Sequence, residues 1–280
     1  MENPIKKLFL FVIFIFALNA EEAERQNGFI GAIGIRIDYK YHKADSSVVS
    51  GAITSLQGFI GWNWKDYVKM EFSGRLGAGS NNIKGDYPIG TQTQLSRLTF
   101  KGGAFLDIDF EGKVGYNTLS SLKMWDNALF FNLGTNVDIS THYATYIPFA
   151  TQLSLINAFV ELEGRSAINT HFSFDYFARG IVGIDIISIG GSDLLVSPLP
   201  ASVLALGGKV GVGFRYKIGE KAYFFMRLVG TYYNTAKSPT ANIAITSNPH
   251  TNELIPNAKS SFAYPKSHTL YGGLYFGIGI

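Results

Sequence analysis

Two short stretches carry residue types from which hydrolytic chemistry is commonly built. In LDIDF, Asp107 and Asp109 stand two apart. On an extended chain both carboxylates project to one side, where such a pair could perturb each other's proton affinity and orient a water. The plainer role for both is pairing with Lys101 or Arg97. In HFSFD, His171, Ser173 and Asp175 also share one side and are the residue types of a hydrolase relay. Positions four apart on a strand are separated by about 13 Å, too far for a hydrogen-bonded relay without partners from other strands. Polar lining is the simpler reading. The histidines, His42, His142, His171, His250 and His268, never fall at metal-ligand spacing, and there is no cysteine. Glycine-rich pieces such as GKVGVGF lack both a following helix and G-K-[ST], so they do not form a phosphate cradle. No catalytic, cofactor or metal site is assigned, and the chain is expected not to be an enzyme.

The elements that must position these residues have a period of two. In 206–217, Leu206, Gly208, Val210, Val212, Phe214 and Tyr216 alternate with positions that include Lys209, Arg215 and Lys217. The first segment sets Ile33, Ile35, Ile37, Tyr39 and Tyr41 against Arg36, Asp38 and Lys40. Spans at 67–78, 97–110, 171–184 and 222–232 repeat the pattern. Over these six spans sixteen charges, Arg36, Asp38, Lys40, Lys69, Glu71, Arg75, Arg97, Lys101, Asp107, Asp109, Asp175, Arg179, Lys209, Arg215, Lys217 and Arg227, all lie opposite the apolar face. Random placement would scatter them over both faces.

Alternation alone also fits a soluble calyx with its apolar face inside, so sidedness needs its own argument. Charged residues are 16% of the chain, below the roughly 25% of soluble domains, and 46% are hydrophobic. Aromatic residues gather near strand ends, at Tyr39, Tyr41, Trp62, Trp64, Tyr216 and Tyr232, as expected of girdles at two membrane interfaces. The chain ends inside a strand, with Leu270, Leu274, Phe276, Ile278 and Ile280 on one face. These features place oil outside and water or packed polar groups inside. An Arg or Lys facing mid-bilayer lipid costs about 2–4 kcal/mol, and a closed sheet pairs every backbone group without water.

The fold expected is all-β: a transmembrane antiparallel β-barrel of about ten strands, with eight to twelve possible. It occupies residues 21–280 behind a signal peptide at 1–20, where Lys6 and Lys7 precede an apolar core from Leu8 to Leu18. Without that leader 22 bases face 20 acids, a balance that gives no reason to expect nucleic acid as a partner. The strands are expected near 29–41, 53–64, 67–79, 94–110, 127–138, 151–163, 170–184, 203–217, 222–234 and 268–280. Connections at 42–52, 80–93, 185–202 and 235–267 are expected to be extracellular loops, with short turns at the periplasmic end. The segment 111–126 either extends the fourth strand or adds another.

With KGGAFLDIDFEGKVGYN, FFNLGTNVDIS and the strand-terminated end in view, the whole mature chain resembles the outer-membrane β-barrel proteins of epsilonproteobacteria, of the Helicobacter and Campylobacter type. The resemblance implies a location in the cell outer membrane of a Gram-negative bacterium and recognition of the C-terminal strand, 268–280, by the barrel-assembly machinery. Ten strands is also the architecture of omptin-type outer-membrane proteases, but those need a histidine with an acidic neighbour at the rim, and no D-x-H occurs.

Of the sixteen inward charges eleven are basic and five acidic, so the lumen is expected to be basic. Arg36, Lys40, Lys69, Arg75, Lys101, Arg179, Lys209, Arg215, Lys217 and Arg227 are its candidate selectivity residues. The first functional expectation is a monomeric, narrow porin-like channel in outer-membrane lipid, passing small solutes or anions. The second is a non-conducting barrel that presents loops for adhesion, and the third is an outer-membrane enzyme.

Overall fold

The computed structural model describes residues 28–65, 67–85, 100–119, 127–144, 150–190, 201–218, 222–247 and 254–280; at 100–102, 127, 144, 150, 189–190, 201, 241–247 and 254–262 it describes the backbone alone. Ten strands form the barrel: β1 (Gly28–Ala44), β2 (Ser47–Trp64), β3 (Val68–Lys84), β4 (Phe100–Asn117), β5 (Asn127–Ala144), β6 (Ala150–Ala167), β7 (Phe172–Gly190), β8 (Ala201–Lys217), β9 (Tyr223–Thr235) and β12 (Ser267–Gly279). Each pairs antiparallel with its neighbours, and the sheet closes in the order β1-β12-β9-β8-β7-β6-β5-β4-β3-β2. Two further strands, β10 (Ala241–Ser247) and β11 (Leu254–Phe262), make a separate hairpin between β9 and β12.

Closure runs from Ala44↔Ser267 to Ala32↔Gly279. Beyond that register, Gly31 and Ile280 exchange both backbone hydrogen bonds, at 3.1 and 2.8 Å, so the last residue is part of the ladder. Gly34 faces Gly277 at this seam. A Cβ on Gly34 would overlap the Phe276 carbonyl, and one on Gly277 would overlap the Ile33 carbonyl. Glycine is what allows the first and last strands to meet this closely.

Several boundaries differ from the sequence reading. The expected loop at 42–52 is strand: β1 and β2 continue to a two-residue turn at Asp45 and Ser46. Asp45 holds φ 54°, a conformation its short polar side chain tolerates. Of the ambiguous segment at 111–126, the first part extends β4 to Asn117, and 120–126 lie outside the described residues. The expected loop 235–267 contains the β10–β11 hairpin, because ANIAITS and LIPNAKSSF pair with each other and not with the barrel. The leader expected at 1–20, Arg97 and most of the loop segments 80–93 and 185–202 lie outside the described residues.

Alternation also changes sense along the barrel. From the turn end upward, outward positions are apolar: on β2, Trp64, Trp62, Ile60 and Leu56 are exposed. Toward the loop end the outward positions become Thr54, Ala52 and Ser50 on β2 and Ser80, Asn82 and Lys84 on β3. There the inward positions turn apolar, with Val49, Ile53 and Ile83 fully buried. The strands therefore carry a lipid-facing belt in their lower part and a water-facing collar above it, as expected of barrels with an apolar band of ~25 Å. Leu76, 58% exposed and flanked on its face by Gly74 and Ala78, lies in the belt. Leu76→Arg is expected to lower the unfolding free energy by about 2–4 kcal/mol, against about 0–1 kcal/mol for Thr54→Arg near the belt edge. Urea titration of the refolded barrel in lipid checks this difference, and equal effects at the two sites would remove the belt assignment.

Candidate functional site

The interior is filled, and its filling differs between the two halves. In the loop half, apolar side chains from most of the strands converge: Ile53, Phe105, Leu153, Leu155, Ile187, Val203 and Tyr271 belong to one buried cluster. Tyr264, on the return from the hairpin, is fully buried in the same cluster. Its amide donates to Ser238 Oγ at 2.7 Å, and the Ser238 amide donates to its carbonyl at 2.9 Å. Its hydroxyl lies 2.6 Å from His42 Nε2, while His42 Nδ1 lies 2.7 Å from Thr269 Oγ1. The ring caps the barrel from above.

Beneath that cap Lys40 and Asp107, both fully buried, pair at 3.2 Å, and Ser140 bonds to both. The Lys40 ammonium also sits over the rings of Tyr271 (4.9 Å) and Phe105 (5.0 Å). Next comes Asp38, held by Arg36 at 2.7 Å and by Arg75 at 3.6 Å. Each of these carboxylates meets a cation, as removal from water requires.

The turn half holds the larger network. Arg179 sends two nitrogens to Glu111, at 2.6 and 2.7 Å, and its Nε to Glu161 at 2.8 Å, with its guanidinium 3.6 Å from the Phe159 ring centre. Lys113 lies 3.0 Å from Glu71, 3.0 Å from Glu161 and 2.8 Å from Glu163. Lys69 bonds Glu163 at 2.6 Å and Glu71 at 3.1 Å. Asp175 accepts from Arg215 and Arg227, each at 2.9 Å. Between these groups lies a cavity of about 80 Å³, bordered by Phe177, Val229 and Tyr275 as well as by charges. A smaller one of about 30 Å³ lies at the turn-end mouth, against Asn63 and Ile280.

The structure places Arg36, Lys40, Lys69, Arg75, Arg179, Lys209, Arg215 and Arg227 in the interior. Lys217 is exposed at the turn-end rim, and the side chain of Lys101 is outside the described set. The six aromatics point outward in two tiers, Tyr39, Tyr41 and Tyr232 toward the loops and Trp62, Trp64 and Tyr216 toward the turns.

The expected basic lumen is corrected. Extending β4 brings in Glu111 and Lys113, while β5, β6 and β7 add Asp138, Glu161, Glu163, Arg165 and Asp185. Among the described side chains ten bases now face ten acids, an interior without net formal charge. The signal was present in DFEGK, where Glu111 and Lys113 continue the phase of Asp107 and Asp109.

The residues of the two candidate hydrolytic sets take other partners. Asp107 lies in the loop half and Asp109 in the middle of the barrel, because β4 continues past them to Asn117. Asp107 serves Lys40 and Ser140, and Asp109 accepts from Asn136 at 2.9 Å. His171 is exposed in the β6–β7 turn beside Thr170 at 2.9 Å, away from Asp175 and its arginines. Among the described residues no three His, Cys, Asp or Glu side chains are grouped to hold a metal ion.

No family model matches the sequence, and no curated protein matches it. Solved structures do match in fold. The barrel superposes on the outer membrane protease OmpT from Escherichia coli with TM-score 0.56 and 8% identity, covering 92% of this chain and 98% of that one. OprG from Pseudomonas aeruginosa matches with TM-score 0.36 and 13% identity, over 92% and 96% of the two chains. The translocator domain of autotransporter NalP from Neisseria meningitidis matches with TM-score 0.38 and 11% identity, over 99% and 94%. The chain is thus an all-β, closed ten-strand antiparallel barrel with the fold of Gram-negative outer-membrane barrels. The expectation that it is not an enzyme falls with the first of these matches. A fold that carries a protease in Escherichia coli gives no ground for excluding catalysis here.

Proposed function

We propose that this barrel is closed to bulk solute flow and acts as a rigid outer-membrane scaffold that presents its loop-end surface, above all the 235–267 connection with its hairpin. The observation that carries this reading is the filled interior. A narrow channel needs a continuous water path, whereas here the loop half is packed by apolar side chains under Tyr264 and the turn half is crossed by paired charges. A barrel of this size has an interior that side chains can fill, while open aqueous channels are typical of about 16–18 strands. In this reading the basic residues expected to select anions act as struts between strands. The finer likeness to epsilonproteobacterial barrels, the monomeric state and recognition of 268–280 by the assembly machinery belong to the same proposal.

Planar-bilayer recording of the refolded mature chain tests it. Inserted protein, folded by the criterion of heat-shifted gel mobility, is expected to give no steady conductance steps. Regular, voltage-stable steps that change on neutralising Lys209 or Arg215 would replace the scaffold reading with the channel.

A further inference from the structure

The cavity in the turn half contains an imbalance that the surrounding network does not remove. Arg36, Lys113, Arg179, Arg215 and Arg227 border it, and each has a carboxylate within ion-pair distance. Lys209 borders it as well, yet among the described residues it has neither a carboxylate within 4.0 Å nor a hydrogen bond. The cause is local in the sequence. The inward positions on either side of it along β8 are Gly207 and Gly211, and its partners across the ladders are Arg179 and Thr231. No acid adjoins it along β8 or across its ladders, where the cross-strand charge is a second cation already committed to Glu111 and Glu161. Glu111 and Asp109 act on it from beyond ion-pair distance, and the cavity is lined by six bases against the five acids Glu71, Glu111, Glu161, Glu163 and Asp175.

Lys209 is half-buried in this confined interior, and an ammonium there that lacks an ion-pair partner is stabilised when an anion accompanies it. The space beside Lys209 is sufficient. By this measure a water needs about 10–15 Å³, so a cavity of about 80 Å³ holds several waters or a small anion with part of its hydration. The turn end is the side from which an anion would enter. The smaller cavity at the mouth shares Phe59, Glu71, Glu163 and Arg215 with the larger one, whereas the loop side is packed.

We propose that Lys209 anchors a binding site for one small inorganic anion, a halide or a tetrahedral oxyanion, reached from the periplasmic end of the barrel. The site is independent of what the loop-end surface contacts.

Two measurements on the folded barrel in detergent micelles test this. Crystals of the wild-type protein soaked in sodium bromide are expected to show an anomalous peak beside Lys209 Nζ. Titration with sodium bromide and with sodium phosphate is expected to show one saturable site, weakened by about tenfold or more in Lys209→Gln and retained in Lys209→Arg. Lys217→Gln, at the exposed rim, is expected to bind as wild type does. Bromide-soaked crystals with no peak at Lys209, or a folded Lys209→Gln that binds both anions as wild type does, would overturn the site. Comparing the two salts distinguishes a halide site from an oxyanion site.

Discussion

Replacing Arg179 with methionine is expected to lower the unfolding free energy of the barrel by about 3–5 kcal/mol. Arg179 is 8% exposed and serves two carboxylates at once, with a planar fork that matches Glu111 at both nitrogens. Methionine keeps much of the contact with Phe159 but leaves Glu111 without its cation. Glu161 retains Lys113 at 3.0 Å, so the loss is concentrated at Glu111. The double variant Arg179→Met/Glu111→Gln is therefore expected to regain part of the loss, because a neutral amide no longer carries the burial penalty of a carboxylate. Arg179→Lys falls between, since an ammonium cannot reproduce the two-pronged geometry. Urea titration followed by tryptophan emission measures all three. A loss below about 1 kcal/mol for Arg179→Met would place the pair in the class of solvent-screened surface ion pairs and remove the argument that this pair is shielded from bulk water.

Truncating Tyr264 to alanine is expected to cost about 3–5 kcal/mol, the range for deleting a large aromatic from a core. The ring is fully buried and closes the loop end, and its backbone is tied to Ser238. Without it the 235–267 connection loses its ring contact with the barrel while the Ala236 amide still donates to the Leu204 carbonyl at 2.9 Å, so proteolysis of that connection is expected to accelerate while the barrel itself stays resistant. Tyr264→Phe separates packing from hydrogen bonding. It keeps the ring and removes only the hydroxyl beside His42, a change of about 1 kcal/mol. Equal proteolysis of wild type and Tyr264→Ala would show that the connection is held elsewhere.

The barrel was legible in the sequence because each strand repeats one physical constraint: no charge faces lipid. That constraint identified all ten barrel strands, and it placed Lys209 and Arg215 inside and Val210 and Val212 outside. It was least informative where its premise fails. Above the belt the outward face meets water, so Ala52 and Ser50 looked like loop residues although they continue β2. The interior was harder to read for a different reason. Alternation says which way Glu111, Glu161 and Asp138 point but not what they meet, because their partners come from other strands and depend on register. Counting only the strongest spans gave a basic lumen, whereas the weaker, Asn-rich and Gly-rich spans of β5 and β6 supply part of the missing acid. The hairpin at β10–β11 was missed because its pairing lies within the connection and leaves no trace in the barrel's period.

The ion pairs that cross the interior also constrain assembly. Lys40 on β1 meets Asp107 on β4, Lys69 on β3 meets Glu163 on β6, and Arg179 on β7 meets Glu111 on β4. None of these strands are neighbours in the sheet, so a flat or half-curled intermediate cannot make the contacts. Its concave face would carry the same charges unmatched, at several kcal/mol per ion if lipid reached them. That face has to remain wet until β12 meets β1, and dehydration of the interior becomes the final event of insertion.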